Sequence, residues 1–424
     1  MEISYNITMV QRKEYLARLA AWREKQLIKV ITGVRRCGKS TLLIQYIDWL
    51  KASGAGDDQI ISINLEDPEF ETLLDHRSLY AYIQKRLCKD KYSYVFIDEV
   101  QQCAGFEKAI DGLFIKKRVD LHITGSNAYL LSGELATLLS GRYIEINMLP
   151  LSFAEFLSFP GNSRKKAPGL RSALNNYLRY GSFPYLTALG ADMGMTRAYI
   201  DGIYNTILLK DVARRTGSTD ISLLENIIKF LSHSVGSPIS AKKISDTLNS
   251  SGRKISVNTV DMYLRSLTDS FIFYYAGRFD IKGRQHLKTL GKYYIVDTGI
   301  RNMLLESSSP DLGHQLENIV FLELLRRGCS VSIGKLDEME VDFIASGSTG
   351  AGSEAGGLSY YQVAASVLDP DTLKRELSVL RKINDNHPKY LLTLDDIPTR
   401  ANHDGIIQLY LIDWLLDKKW RVIT

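Results

Sequence analysis

The chain has 424 residues, with 53 Lys and Arg against 48 Asp and Glu, and a net charge of +5. Its length predicts two or three domains at roughly 100–200 residues each, and 45% apolar with 24% charged residues exclude collagen, coiled-coil rods and wholly disordered chains. Cys37, Cys88, Cys103 and Cys329 form no CxxC pair, which fits a reducing cytoplasm and excludes a cysteine zinc site; the N-terminal MEISYNITMVQRKEY predicts no signal peptide, and no apolar run reaches the length of a membrane span.

Residues 27–150 alternate short apolar runs with helical patterns. The runs 27–33 (LIKVITG), 60–65, 94–97, 121–124 and 143–148 are long enough for buried strands and too short for helices. Helical periodicity lies between them at 40–51, 79–89, 106–116 and 129–139. Strands separated by helices predict a parallel sheet covered on both faces. From 151 to 215 the periodicity is helical, interrupted by the polar segment 161–169. Residues 221–275 predict three helices, and short strands at 271–276 and 293–296 follow, the order of a winged helix. From 313 onward the pattern returns to α/β: helices at 315–327 and 371–382, strands at 330–333, 341–345, 360–364 and 390–394, and a Gly/Ser/Ala-rich loop at 347–357.

The segment Gly33-Val34-Arg35-Arg36-Cys37-Gly38-Lys39-Ser40 fits GxxxxGK[ST] in full, after an apolar strand and before a helix, where a phosphate-binding loop belongs. Its glycines let backbone N–H groups converge on phosphates, and the helix N-terminus adds positive potential. The motif predicts ATP as ligand, with Lys39 on the β- and γ-phosphates, Ser40 on Mg²⁺ and Thr41 beside it. Arg35 and Arg36 are within reach of phosphate, and Cys37 fills a small-residue slot. The strand 94–97 ends in Asp98-Glu99: Asp98 is placed to hold Mg²⁺ and Glu99 to polarise the attacking water. The strand 121–124 ends in Gly125-Ser126-Asn127; Asn127, with Ser126 as alternative, is the polar group expected to orient water against the γ-phosphate.

Charge is not spread evenly. Residues 210–300 carry fourteen Lys and Arg against eight Asp and Glu, a net +6, which leaves −1 for the rest of the chain. Clustering of this kind suits contact with a nucleic-acid backbone. The expected elements are a recognition helix at 258–267 bearing Arg265, preceded by Arg253 and Lys254, and a wing carrying Arg278, Lys282, Arg284, Lys288 and Lys292.

Together, GVRRCGKST, FIDEVQ, ITGSN and LLSGRYIEINMLPLSFAEF resemble the AAA+ ATPase superfamily. More narrowly, the chain resembles a prokaryotic ATPase family with an AAA+ core, a winged helix and a C-terminal nuclease-like domain of unknown function. The resemblance implies an α/β fold: a P-loop parallel-sheet AAA+ core (1–150), a helical lid (151–215), a winged helix (216–300) and a restriction-endonuclease-like α/β domain (301–424). It implies ATP hydrolysis with Mg²⁺ coupled to DNA in a homo-oligomer, with no membrane partner. Arg142 matches the arginine finger that completes a neighbour's site, or else it caps a helix end. Gly181-Ser182-Phe183-Pro184 resembles the element of signalling ATPases that closes over adenine through Pro184, which leaves a protein-directed switch as a second reading. In the last domain Glu317, Asp342, Gln362 and Ala364 stand where an active nuclease has Glu, Asp, Glu and Lys; the two replacements argue against cleavage, the third reading.

Overall fold

A computed structural model describes residues 10–126, 141–159, 169–189, 192–213, 220–305, 311–347, 357–396 and 401–416. Asn127, the expected helix at 129–139, and most of the loops at 161–169 and 347–357 lie outside them. The chain forms two compact units, 1–150 with 269–271, and 151–268 with 272–424.

The first unit is built on five parallel strands: β1 (Ile28–Thr32), β2 (Ile60–Asn64), β3 (Ser93–Asp98), β4 (Val119–Gly125) and β5 (Tyr143–Asn147), in the order β2-β3-β4-β1-β5. Helices α1 (Lys13–Ala21), α2 (Lys39–Ala52), α3 (His76–Gln84) and α4 (Phe106–Phe114) complete it. β1 and β3 are buried along their whole length, as continuous apolar runs predict for a sheet covered on both sides. Ile28, Val30, Val95, Ile97, Leu121 and Ile123 pack with Leu79, Ile83, Ile110 and Leu113 of α3 and α4 into one core. The topology matters for function because β4 separates β1 from β3. The loop after β1 and the carboxylates after β3 therefore flank the tip of β4.

The second unit begins with α5 (Phe153–Leu157), α6 (Leu170–Tyr180) and α7 (Met193–Thr206), the last running into a π-helical stretch at Ile207–Ala213. Three helices follow: α8 (Ile221–His233), α9 (Ala241–Ser250) and α10 (Val257–Asp269). Asp220 caps α8 and Ser240 caps α9 by accepting amide hydrogen bonds. A hairpin, β6 (Phe273–Asp280) with β7 (Gln285–Ile295), comes next, longer than the sequence pattern predicts. It is not free-standing. β6 pairs in parallel with β8 (Ser330–Leu336) through Arg278–Asp280, so the hairpin is the edge of an eight-stranded mixed sheet, β12-β13-β11-β10-β9-β8-β6-β7. The remaining strands are β9 (Met339–Ser346), β10 (Leu358–Ala364), β11 (Lys389–Thr393), β12 (Ala401–His403) and β13 (Ile406–Tyr410). With them lie α11 (Thr298–Leu305), α12 (Leu312–Arg326), α13 (Pro370–Lys382) and α14 (Leu411–Leu416). Among the described residues no helix is long and apolar enough to cross a membrane.

Candidate nucleotide-binding site

The loop between β1 and α2 combines three left-handed residues, Gly33 (φ 143°), Arg36 (φ 66°) and Gly38 (φ 104°), the kind of backbone that gathers N–H groups into an anion nest. Gly33 is required twice over: its φ suits only glycine, and a Cβ there would sit 2.2 Å from the Met148 carbonyl oxygen beyond β5. Lys39 opens α2 with its side chain turned back over the loop. Its ammonium donates to the carbonyls of Gly33 (3.0 Å) and Val34 (3.3 Å) and lies 3.9 Å from Glu99 Oε1.

Asp98 and Glu99 meet at the tip of β4 through one hydroxyl. Thr124 Oγ1 donates to Asp98 Oδ1 and accepts the Glu99 N–H at 3.0 Å. Glu99 holds a left-handed backbone (φ 51°), unusual for a residue with a Cβ, and Gln101 Nε2 donates to its Oε2. Burial raises the Asp98 carboxyl above its usual range, and hydrogen bonds from Ser40 and Thr124 work against that rise. A serine hydroxyl and a carboxylate are thus brought together at the start of α2, a hard-oxygen pair of the kind that holds Mg²⁺ alongside phosphates and water. No cluster of three or more His, Cys, Asp or Glu side chains at metal-holding spacing exists among the described residues. Mg²⁺ bound mainly by substrate phosphates needs none. Ser126, one residue past β4, keeps a buried hydroxyl with no hydrogen-bond partner among the described residues. Of the two polar groups expected at this tip, it is the one the structure describes.

The other residues expected at the site are distributed as follows. Arg35 is ion-paired with Glu66 at 3.4 Å, Arg36 is exposed, and Thr41 is half-buried on α2. Cys37 is fully buried, and burial pushes its thiol up against the opposing pull of Lys39 and Arg12, which is the reverse of what a reactive thiolate needs. Arg142 is half-exposed just before β5, where it pairs with Asp111 of α4 and lies over the Phe114 ring. Pro184 belongs to the second unit. Before it, Gly181 and Ser182 dock on Asp297: the Ser182 N–H and hydroxyl donate to Asp297 Oδ2 at 2.6 and 2.8 Å, while Gly299 donates to Oδ1. A Cβ on Gly181 (φ 90°) would meet that carboxylate at 2.2 Å. Sequence reading did not find Thr124, Gln101 or Arg12. The first two lie within the quoted stretches ITGSN and FIDEVQ but were given no role there, and the third lies 21 residues before the loop begins, where no motif marks it.

In the second unit the structure corrects one expected role. Lys292 is not an exposed wing cation. It is buried on β7, 2.9 Å from Glu317 and 2.7 Å from Glu340. Tyr294 donates to Glu317 as well (2.6 Å), and Asn318 pairs with both the N–H and the C=O of Ile295. The physical reason is the sheet: once β6–β7 forms its edge, the inward-facing Lys292 meets the carboxylates of α12 and β9. Burial by itself would lower the ammonium's pKa, but Glu317, Asp342 and Glu340 raise it instead. Asp342 accepts the Val363 N–H at 2.9 Å, and burial together with the Glu317 charge pushes its carboxyl well up. Gln362 donates to Glu376 at 2.9 Å. Lys282 is also engaged, in an exposed pair with Asp337 at 2.7 Å.

A five-stranded parallel sheet with a glycine-lined loop, a lysine at the helix start and paired carboxylates one strand beyond its neighbour defines a P-loop nucleotide-binding protein. An AAA domain family model matches residues 25–157, and a model for a domain of unknown function matches 171–311. An uncharacterized protein of Haemophilus influenzae is 40% identical over 409 residues, covering 96% of this chain and 99% of the relative. An uncharacterized protein of Methanocaldococcus jannaschii is 33% identical over 340 residues, covering 76% and 72%. In fold, the chain is similar to a Walker-type ATPase of Pyrococcus abyssi, with a TM-score of 0.51 at 15% identity, over 70% of this chain and 96% of that one. The chain belongs to one family with the H. influenzae protein, and its residues 25–157 are an AAA domain.

Proposed function

We propose that this protein binds ATP at the loop 33–40, hydrolyses it with Mg²⁺, and couples the cycle to DNA. The observation that carries the reading is the convergence of Lys39, Ser40, Asp98 and Glu99 around the tip of β4. Lys39 exchanges two carbonyl oxygens for phosphate oxygens, a change that leaves it buried and gains it charged partners. Ser40 and Asp98 would hold Mg²⁺, which would supply neutralisation of the phosphate charge. Glu99 accepts the proton of the attacking water; the water oxygen bonds to the γ-phosphorus as its bond to the bridging oxygen breaks, and ADP leaves. Ser126, or Asn127 next to it, orients that water. Arg142, at the surface of the first unit, is the group a neighbouring copy would use, so turnover in a homo-oligomer requires it to leave Asp111.

For DNA, the support is the set of exposed cations Lys242, Lys243, Arg253, Lys254, Arg265 and Arg284 on α9, the loop after it, α10 and the hairpin tip. Lys282 and Lys292 add little, being already paired. The test is ATP turnover measured with and without single-stranded, duplex and branched DNA. Stimulation that fades steeply with salt is expected; stimulation by none of them removes the DNA half of the reading. A protein-directed switch is the second reading, favoured by the exposed apolar Val257 and Met262 on α10. It predicts tight ATP binding, slow turnover and indifference to DNA. Gln362 and the lysine already seated between Glu317 and Glu340 weigh against the nuclease reading. The free cysteines fit a cytoplasmic setting.

A further inference from the structure

Arg12 lies outside every motif in the chain, yet it is buried behind the phosphate loop. Its Nη1 donates to the Cys37 carbonyl (3.1 Å), and its Nη2 donates to the carbonyls of Leu149 (2.7 Å) and Pro150 (3.4 Å) beyond β5. The guanidinium also lies 4.8 Å over the ring of Tyr15, whose hydroxyl accepts the Leu149 N–H at 3.1 Å. Gln45 of α2 fastens the same segment from the other side: its Oε1 accepts the Arg12 N–H (3.1 Å), and its Nε2 donates to the Val10 carbonyl (2.9 Å). One side chain therefore grips both the loop and the strand exit against which Gly33 is packed.

The chemistry follows from peptide geometry. In a trans peptide the C=O and the next N–H point in opposite directions. Holding the Cys37 oxygen toward Arg12 turns the Gly38 N–H away from it. Gly38 is one of the left-handed glycines of the nest, and a nest binds anions only while its N–H groups converge. We propose that Arg12 is a positioning residue of the nucleotide site: it fixes the Cys37–Gly38 peptide so that the Gly38 amide faces the nucleotide phosphates, and it ties that peptide to the exit of β5. This inference rests on the ATP-binding reading given above. A planar guanidinium with several donors suits the task, because it reaches two separate stretches of main chain at once, which an ammonium does poorly.

The test is equilibrium titration of the full chain with fluorescent N-methylanthraniloyl-ADP and -ATP. Arg12→Ala is expected to weaken both by about tenfold or more, the scale of lost charged hydrogen bonds. Methylguanidinium, added at millimolar concentration to fill the space left, is expected to restore part of that affinity. Wild-type affinity in a folded Arg12→Ala protein overturns the proposal, and so does a loss of affinity that methylguanidinium leaves untouched. Where Arg12→Ala fails to fold, Arg12→Lys decides: weaker nucleotide binding with a nucleotide-free melting temperature near that of the wild type supports it, and unchanged binding refutes it. Failure of the wild-type protein to bind either nucleotide counts instead against the ATP reading.

Discussion

Lys39 in the first unit and Lys292 in the second are 4% and 3% exposed, yet their ammonium groups have opposite company. Lys39 rests on two neutral carbonyls of its own loop, with the nearest carboxylate oxygen 3.9 Å away. Lys292 is clamped by two carboxylates at 2.9 and 2.7 Å, with Tyr294 on one of them. Carbonyl partners are exchanged at little cost when phosphate arrives, whereas a buried ion pair holds its members for as long as the fold lasts. On the proposed ATP reading, the difference separates a lysine kept for a ligand from a lysine used as a fixed cation inside the fold.

Breaking the second case has the largest expected effect. Lys292→Met leaves the buried Glu317 and the partly buried Glu340 without their cation and is expected to cost about 3–5 kcal/mol, read as a lowered melting temperature and loss of protease resistance in residues 272–347. Lys39→Met tests the other half: nucleotide-free stability is expected to change by less than about 1 kcal/mol, since no short buried ion pair is lost, while stabilisation by added ATP disappears. Equal destabilisation by both variants would erase the contrast.

A third buried cationic-type side chain sharpens it. His122 is sealed between Phe96 (4.6 Å, stacked) and Tyr46 (5.3 Å), neither ring nitrogen has a hydrogen-bond partner among the described residues, and burial lowers its pKa to about 4. The folded first unit therefore binds fewer protons at this group than the unfolded chain does. Its contribution to stability is complete above the unfolded value near 6.5 and is lost as pH falls toward 4, by at most about 3 kcal/mol. His122→Phe, which keeps the aromatic packing, should flatten that acid limb in a pH series of thermal melts. The smallest effect is expected from Lys282→Ala, which removes an exposed pair with Asp337 and should shift stability by less than about 1 kcal/mol.

The first unit was largely legible in the sequence because its signals are local. Each strand is a short, mainly apolar run, and the loop, the lysine and the carboxylate pair sit at fixed offsets from strand ends. The second unit was less so. That β6 joins β8 over three residue pairs, more than fifty positions apart, depends on non-local pairing that no window of sequence contains. β12 went unread because it is only Ala-Asn-His, and β13 because its mostly apolar run passes straight into α14 with no break to mark a strand end. Lys292 did leave a trace: it stands in Gly291-Lys292-Tyr293-Tyr294-Ile295-Val296, a charge inside an otherwise apolar strand, a placement that calls for a buried partner. Counting it with the surface cations gave the hairpin more free charge than it has. Arg12 left no trace, since a lone arginine before a helix looks like any solvated one.

The central claim is that Glu99 activates water at a P-loop that binds ATP through Lys39. Single-turnover hydrolysis of radiolabelled ATP by Glu99→Gln, with binding measured in the same samples, tests it most directly. ATP bound as tightly as by the wild-type protein, with phosphate release slowed by about a hundredfold or more, is the expected result. Phosphate release at the wild-type rate would contradict it.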